Sequence, residues 1–111
     1  MRVLFVCRQN RKRSATAERV FGKEPSLDVR SAGTDADALV RVNARMLEWS
    51  DVVFTMDAEQ GRDLSRLFPG HPALDKIVCL DIEDCYDFLE PELVALLRER
   101  TAPYLRPAKD G

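Results

Sequence analysis

One short polar segment of the chain, residues 7–14, combines a nucleophile with several cations. It reads Cys-Arg-Gln-Asn-Arg-Lys-Arg-Ser, so a thiol is followed by a run of basic side chains. A cysteine thiolate is a strong nucleophile, and the planar guanidinium of Arg13 can bind two oxygens of a phosphate group. The hydroxyl of Ser14 can donate a hydrogen bond to the sulfur of Cys7. The segment therefore indicates chemistry on a phosphate ester.

The residues on either side predict a strand before this segment and a helix after it. Residues 3–6 form a continuous apolar run, which is typical of a strand buried on both faces. Helical spacing follows at Ala17, Val20 and Phe21. A loop between two such elements can direct successive backbone N–H groups into one concavity, to which the helix N-terminus adds free donors. We expect this loop to bind a phosphate dianion.

The remainder of the chain alternates predicted strands and helices. Further strands are expected at residues 27–30, ending in a turn at residues 31–34, at residues 52–56 and at residues 77–80. A helix is expected at residues 36–49, with Leu39, Val42, Met46 and Leu47 on its buried face. Asp57 is the expected N-cap of the next helix, and Pro91 is expected to open the last one.

Apolar strands separated by amphipathic helices predict an α/β fold with a parallel sheet and helices on both faces. We expect a single domain over residues 1–105 and a C-terminal tail at residues 106–111. Ligands of open parallel sheets bind beyond the carboxyl ends of the strands. The polar segments expected there are residues 7–14, the stretch that begins at Asp57, and residues 81–87.

Composition limits the classes of protein that the chain can represent. Its 111 residues fit one domain, and 45% apolar with 32% charged residues is typical of a compact soluble protein. A net charge of -2 gives no general reason to expect a nucleic acid partner, and no apolar run is long enough to span a membrane. Three cysteines are an odd number for a disulfide framework, and their spacing is not that of a zinc site, so we expect a protein of the reducing cytoplasm. No cofactor is expected.

Hydrolysis of a phosphate monoester also requires a proton donor for the leaving oxygen. The carboxyl groups that follow the fourth predicted strand are those of Asp81, Glu83, Asp84 and Asp87. The residue types alone do not decide which of these carboxyl groups donates the proton. The chain has one histidine, His71, which lies in a predicted turn, so a cysteine–histidine mechanism is not expected.

Several blocks of the sequence resemble the low-molecular-weight protein tyrosine phosphatases. The blocks are Val6-Cys7-x2-Asn10-x2-Arg13-Ser14, Ala17-Glu18, Val20-Phe21, Ser31-Ala32-Gly33-Thr34, Met56-Asp57, Arg62-Asp63-Leu64 and Ile82-Glu83-Asp84-Cys85-Tyr86. They occur in the order found in the family and touch most of the chain. The resemblance implies a single-domain sheet with strand order 2-1-3-4 and hydrolysis of phosphate monoesters, such as phosphotyrosine in proteins, through a phosphocysteine intermediate without metal.

The resemblance also implies roles for individual residues. Cys7 would be the nucleophile, Arg13 the phosphate binder and Asp84 the general acid, with Asp81 as the alternative acid. The phosphate-binding loop would further comprise Arg8, Gln9, Asn10, Arg11, Lys12 and Ser14, of which Asn10 and Ser14 would hold its shape. Tyr86 and Phe88 would either flank an aromatic substrate ring or serve as packing residues.

Some residues depart from the family pattern. The chain is short for the family. Gln9 stands where the family has a glycine, and a side chain there can restrict the backbone turn of the loop because only glycine adopts positive φ freely. Lys12 replaces the second loop cysteine, and Cys85 replaces a proline. With Arg8 and Arg11, Lys12 makes the entrance basic, which would favour acidic or multiply phosphorylated substrates.

Two alternatives remain open from the sequence. An arsenate reductase would share the fold and would need a second cysteine to resolve the adduct on Cys7. Cys79 is expected in the core, which leaves Cys85 as the candidate. The other alternative is a non-catalytic module that binds a phosphoprotein or an RNA end. The oligomeric state is not indicated by the sequence.

Overall fold

The computed structural model describes residues 1–105, so the predicted tail at residues 106–111 lies outside the described part. The strands are β1 (Arg2–Cys7), β2 (Asp28–Gly33), β3 (Val52–Thr55) and β4 (Ile77–Cys79). The helices are α1 (Arg13–Phe21), α2 (Ala44–Trp49), α3 (Ala58–Leu67) and α4 (Pro91–Thr101), and a 3-10 turn at Pro72–Lys76 precedes β4. None of the helices within residues 1–105 has the length and apolar character needed to cross a membrane.

The four strands form one parallel sheet in the order β2-β1-β3-β4, which confirms the predicted fold class and strand order. β1 lies in the interior of the sheet, and its last residue, Cys7, pairs with Gly33 at the end of β2. The carboxyl ends of β1, β2 and β3 therefore meet at one edge. The loops that follow these strands share that edge.

The two faces of β1 pack against different helices. Val3 and Phe5 belong to the core cluster that includes Phe21 of α1 and Leu97 of α4. A second cluster on the opposite face of β1 contains Leu4, Val6, Leu47 and Leu64. Because both faces are covered, the continuous apolar run of β1 is fully buried, as predicted. Each large aliphatic or aromatic side chain buried in this way contributes roughly 1.5–3 kcal/mol to folding.

The helix predicted at residues 36–49 is wrong over its first half. Only Ala44–Trp49 is helical, and the side chain of Asn43 caps this helix by accepting a hydrogen bond from Met46 N at 2.9 Å. Residues 36–42 follow an irregular path because their backbone groups bond to other segments: Leu39 N donates to Gln9 O, and Val40 O and Val42 N bond to Gly33 at the end of β2. Leu39, expected in the buried face, is 63% exposed.

Two smaller expectations also require correction. The turn predicted at residues 31–34 is wrong for its first three residues, which continue β2 in register with β1. Cys79, expected in the core, is exposed, because β4 is an edge strand that pairs only with β3. An apolar run can thus belong to a strand whose last residue faces outward.

Candidate active site

The loop between β1 and α1 ends at a helix N-terminus that carries no compensating negative charge. Lys12 occupies the N-cap position without a side-chain hydrogen bond, and the first turn of α1 contains no acidic residue. The free N–H groups and the positive end of the helix dipole are therefore available to an anion.

The first half of this loop is held by residues 34–39, which we call the supporting segment. Its backbone N–H groups donate to three successive carbonyls of the loop: Thr34 N to Cys7 O at 3.0 Å, Asp35 N to Arg8 O at 2.9 Å and Leu39 N to Gln9 O at 3.0 Å. In a trans peptide the carbonyl and the following N–H point in opposite directions. The amides of residues 8–10 are consequently directed away from the supporting segment, and Asn10 N donates to Cys7 Sγ at 3.2 Å.

Cys7 combines burial with polar contacts at its sulfur. Its side chain belongs to the core cluster under α1 and α4 and is 3% exposed, yet it also lines the pocket formed by the loop. The sulfur lies 2.9 Å from Ser14 Oγ. A hydroxyl and an amide N–H thus lie beside the sulfur of a residue that lines the pocket.

Asn10 fixes the turn of the loop through its backbone and its side chain. Its φ is 59°, in the left-handed region that Asn tolerates better than most residues. The side-chain amide Nδ2 donates to Ser14 Oγ at 2.8 Å and to Ser31 Oγ at 2.9 Å, and the hydroxyl of Ser31 in turn donates to Glu18. Gln9 is not among the described residues with positive φ, so a side chain is tolerated where the family has a glycine.

Arg13 connects the three polar segments that were expected at the carboxyl ends of the strands. It is 2% exposed, and its Nη1 donates to Asp57 Oδ2 at 3.0 Å and to Ile82 O at 2.7 Å. Its Nε lies 3.7 Å from Asp84 Oδ1. The expected meeting of residues 7–14, Asp57 and residues 81–87 is confirmed by these contacts.

Asp57 is the N-cap of α3, as predicted. It is also the ion-pair partner of Arg13, and this pairing was not predicted from the sequence. Its Oδ1 accepts from Glu59 N at 3.0 Å, and its own N–H donates to Gln60 Oε1 at 2.7 Å. Partial burial would raise the pKa of Asp57. The hydrogen bonds from Arg13 and Glu59 N outweigh that effect, so the pKa is lowered from its ordinary value. The position of Asp57 directly after β3 was the available signal.

The loop encloses a cleft of about 210 Å³. Its lining residues are Cys7, Arg8, Gln9, Arg11, Lys12, Arg13 and Asp84. Asn10 and Ser14 lie buried behind this lining and support it. The side chain of Asp84 is 58% exposed. Asp81 lies outside the lining, and its carbonyl accepts from Arg100 Nη1 at 2.8 Å.

The supporting segment also supplies a side chain to the rim of the cleft. Asp35 Oδ2 lies 3.4 Å from Arg8 Nη2 and 3.5 Å from Gln9 Nε2. The negative charges of Asp35 and Glu59 raise the pKa of Arg8. Asp35 was not predicted as a site residue from the sequence. The available signal was its position in the loop after β2, since this loop lies at the same edge of the sheet as the loop after β1.

The other predicted site residues lie outside the cleft lining. Tyr86 is partly buried and packs against the core cluster of α1 and α4, whereas Phe88 is 45% exposed. A contact between either ring and a substrate stays a prediction. Cys85 is exposed, its Sγ lies 4.0 Å from Glu83 Oε1, and it does not line the cleft that contains Cys7. The arsenate reductase alternative, which needs the two thiols to meet, therefore has no support from a contact among the described residues. Residues 1–105 contain no group of three or more potential metal ligands.

Comparison with known proteins gives matches only at the level of structure. No family model and no curated protein matches the sequence. The tyrosine phosphatase Wzb from Escherichia coli K30, solved with phosphate, is 20% identical and superposes with a TM-score of 0.77 over 99% of this chain and 98% of its own. The YwlE arginine phosphatase from Geobacillus stearothermophilus is 20% identical, with a TM-score of 0.70 over 95% of this chain and 97% of its own.

A third similar structure is a low-molecular-weight protein tyrosine phosphatase from T. tengcongensis. It is 24% identical, with a TM-score of 0.68 over 95% of this chain and 99% of its own. The three proteins match this chain over nearly their whole lengths, so the similarity concerns the complete fold. The chain therefore has the fold of the low-molecular-weight protein tyrosine phosphatases.

Proposed function

We propose that this chain is a phosphatase that hydrolyses phosphate monoesters on proteins, phosphotyrosine in particular, through a phosphocysteine intermediate on Cys7. The observation that carries the proposal is the meeting of Cys7, Arg13 and Asp84 around one small cleft. The similar structures from E. coli K30 and T. tengcongensis are tyrosine phosphatases, which supports the same reaction class.

Phosphate binding would use the backbone of the loop together with Arg13. The amides of residues 8–10 face away from the supporting segment, and they would donate to the non-bridging oxygens of the phosphate. Arg13 Nη1 is held by Asp57 and Ile82 O, whereas Nη2 has no hydrogen-bond partner among the described residues. Nε and Nη2 can therefore bind two phosphate oxygens side by side and follow their charge in the transition state.

In the first step the thiolate of Cys7 attacks phosphorus. An S–P bond forms, the P–O bond to the substrate breaks, and the leaving oxygen takes a proton from Asp84. Ser14 Oγ, 2.9 Å from the sulfur, donates a hydrogen bond to the thiolate before the attack. A positioned general acid of this kind typically contributes roughly 10²–10⁴-fold to the rate.

In the second step one water hydrolyses the intermediate. The carboxylate of Asp84 takes a proton from the water, the water oxygen attacks phosphorus, and the S–P bond breaks. The Cys7 thiolate is regenerated with its hydrogen bond to Ser14, and inorganic phosphate leaves. The half-exposed side chain of Asp84 is compatible with this exchange because a water can reach it.

A substrate panel tests the proposal. Purified protein would be assayed on phosphotyrosine, phosphoserine and phosphoarginine peptides and on nucleotides, with Cys7→Ser and Arg13→Lys as variants. We expect hydrolysis of phosphotyrosine peptides, no turnover by Cys7→Ser and a severe loss in Arg13→Lys, because Lys cannot bind two oxygens side by side. The phosphoarginine arm is included because the similar Geobacillus protein is an arginine phosphatase.

The panel also separates this proposal from a non-catalytic binding module. Tight binding of phosphopeptides without hydrolysis of any substrate would contradict a phosphatase and support a binding function. Hydrolysis of phosphoarginine alone would retain the mechanism and replace the substrate. A cytoplasmic location stays a prediction from the sequence.

A further inference from the structure

We propose that Arg11 and Lys12 form a second anion-binding subsite at the rim of the cleft, which binds an acidic group beside the phosphorylated residue of a protein substrate. The inference rests on the proposed function and specifies its substrate class. The preferred substrates would be phosphorylated sequences with negatively charged neighbours.

The charge of the cleft is opposite to that of the whole chain. The protein carries a formal net charge of -2, yet the charged groups in the lining are the cations Arg8, Arg11, Lys12 and Arg13 and the single carboxylate Asp84. Two of these cations already have a close carboxylate at the site. Arg13 is paired with Asp57 at 3.0 Å, and Arg8 is paired with Asp35 at 3.4 Å.

Arg11 differs from these two arginines. Its one side-chain hydrogen bond is a long one from Nη2 to the carbonyl of Asp37 at 3.5 Å, and no carboxylate of residues 1–105 lies within 4.0 Å of its guanidinium. The side chain is exposed. A full positive charge at the rim is therefore free to bind an anion of the substrate.

Lys12 is paired only weakly. Its Nζ lies 3.8 Å from Asp87 Oδ1, and the two side chains are 54% and 88% exposed. Water and salt screen such a pair strongly, so little is lost when another carboxylate replaces Asp87. The contact also shows that an acidic group can approach Lys12 from the side of the loop at residues 81–87.

The size of the cleft explains why neighbouring substrate residues would meet this rim. A volume of about 210 Å³ is below the roughly 300–1,000 Å³ typical of pockets for drug-sized ligands. The cleft can hold the phosphate and the side chain that bears it, so flanking residues must remain outside. The phosphate itself would be bound by the amides of residues 8–10 and by buried Arg13, which leaves Arg11 and Lys12 for a second anionic group.

Peptide series that differ only beside the phosphotyrosine test the subsite. One series carries Glu at the flanking positions, one carries Gln, and one carries phosphoserine. For the wild-type protein at low ionic strength we expect kcat/KM for the Glu series to exceed that for the Gln series roughly fivefold. High ionic strength should reduce this ratio, since it screens exposed charges.

The variants are designed so that the ratio between peptides is the readout. Arg11→Gln and the double variant Arg11→Gln/Lys12→Gln should lose the preference for acidic peptides. Arg45→Gln removes the same charge from an exposed position of α2 outside the cleft. This control variant should retain the preference for acidic peptides. Circular dichroism checks that each variant is folded. If the double variant does not fold, Arg11→Gln alone tests the subsite.

Each outcome bears on a defined part of the inference. An unchanged Glu-to-Gln ratio in folded Arg11→Gln and in the double variant would overturn the subsite. Hydrolysis of a small aryl phosphate without any acidic preference in the wild-type protein would also overturn it but would leave the proposed function intact. If no substrate is hydrolysed, the proposed function fails, and binding of the same peptides to Cys7→Ser still tests the subsite. A larger gain from phosphoserine than from Glu would identify a second phosphate as the preferred anion.

Discussion

Arg13 Nη1 lies 3.0 Å from Asp57 Oδ2, and this ion pair joins the first residue of α1 to the N-cap of α3. The Arg13 side chain is 2% exposed and that of Asp57 is 33% exposed, and Asp57 is the nearer and more buried of the two carboxylates among residues 1–105 that compensate the guanidinium, the other being Asp84 at 3.7 Å. Removal of one partner from a buried pair leaves an uncompensated charge. Arg13, the proposed phosphate binder, is thus held in place by the N-cap of the helix that follows β3.

Asp57→Asn tests the charge of this pair without removal of the cap. Asn is as good an N-cap as Asp, so the start of α3 should be retained. We expect the free energy of unfolding to fall by about 1–2 kcal/mol, because a charged hydrogen bond to a buried group is lost. Urea unfolding measures this change. Asp75→Asn, at an exposed carboxylate, is the matched control and should stay within roughly 0.5 kcal/mol of the wild type.

The same variant should change how stability depends on pH. The pKa of Asp57 in the folded protein is lowered from its ordinary value of 3.8, so its ionised form stabilises the fold fully above that value. This contribution is lost as the pH falls through the lowered pKa. The stability difference between wild type and Asp57→Asn should therefore be largest near neutral pH and should shrink below pH 3.8. A difference that stays constant on acidification would contradict the assigned pair.

Gly33→Ala should displace the loop between β1 and α1, which is the proposed phosphate-binding loop. A Cβ at Gly33 would clash with the backbone oxygen of Arg8 and would lie 2.7 Å from Ala38 Cβ, so the supporting segment and the loop cannot keep their present separation. We expect a loss of about 1–3 kcal/mol in stability and a loss of roughly 10- to 100-fold in kcat/KM on an aryl phosphate.

Gly61→Ala is the matched control for this substitution. Gly61 lies within α3, and apart from its chain neighbours and the backbone of its own helix no heavy atom of the described residues lies within 4 Å of the position that its Cβ would take. Ala is favoured over Gly inside a helix, so this variant should be more stable by roughly 0.5–1 kcal/mol and equally active. Wild-type activity in Gly33→Ala would show that the supporting segment does not position the loop.

Asp84→Asn should impair turnover most for substrates with poor leaving groups. An amide cannot donate the proton that an alkoxide or a weakly acidic phenolate needs, so the loss should approach roughly 10²–10⁴-fold for such substrates. Nitrophenolate leaves without a proton, and its ester should suffer much less. The kcat/KM values across a series of aryl phosphates measure this dependence, because kcat/KM reports formation of the intermediate and not its later hydrolysis. Asp81→Asn, outside the cleft, serves as the comparison, and an equal loss across leaving groups in Asp84→Asn would assign the acid elsewhere.

The parts of the fold that were predictable are those encoded by local sequence. The buried run of β1 is apolar at every position from Val3 to Val6, and Asp57 precedes a helix that it caps with its own side chain. Ligands of open parallel sheets bind beyond the carboxyl ends of the strands, so the polar residues that follow the strands were expected at one edge of the sheet. Cys7, Arg13 and Asp84 were expected at the site in this way, with the resemblance selecting Asp84 among the carboxylates, and their roles in the reaction stay predictions.

The parts that were missed depend on contacts between distant segments. The spacing of Leu39, Val42 and Met46 is helical, but the N–H of Leu39 bonds to Gln9 O, which draws this stretch out of a helix. The pairs Arg13–Asp57 and Arg8–Asp35 join residues that are far apart in sequence. Periodicity carries no information about such partners. The sequence of an edge strand such as β4 does not by itself distinguish it from an interior strand.

The central claim is that Cys7 is phosphorylated during turnover. The most direct measurement is rapid quenching of the Asp84→Asn variant with nitrophenyl phosphate, whose leaving group needs no proton, followed by mass spectrometry of the peptide that contains Cys7. Loss of the group that activates water should let the intermediate accumulate. We predict a phosphoryl group on Cys7 and no turnover by Cys7→Ser. A phosphoryl group on another residue, or wild-type turnover in Cys7→Ser, would contradict the mechanism.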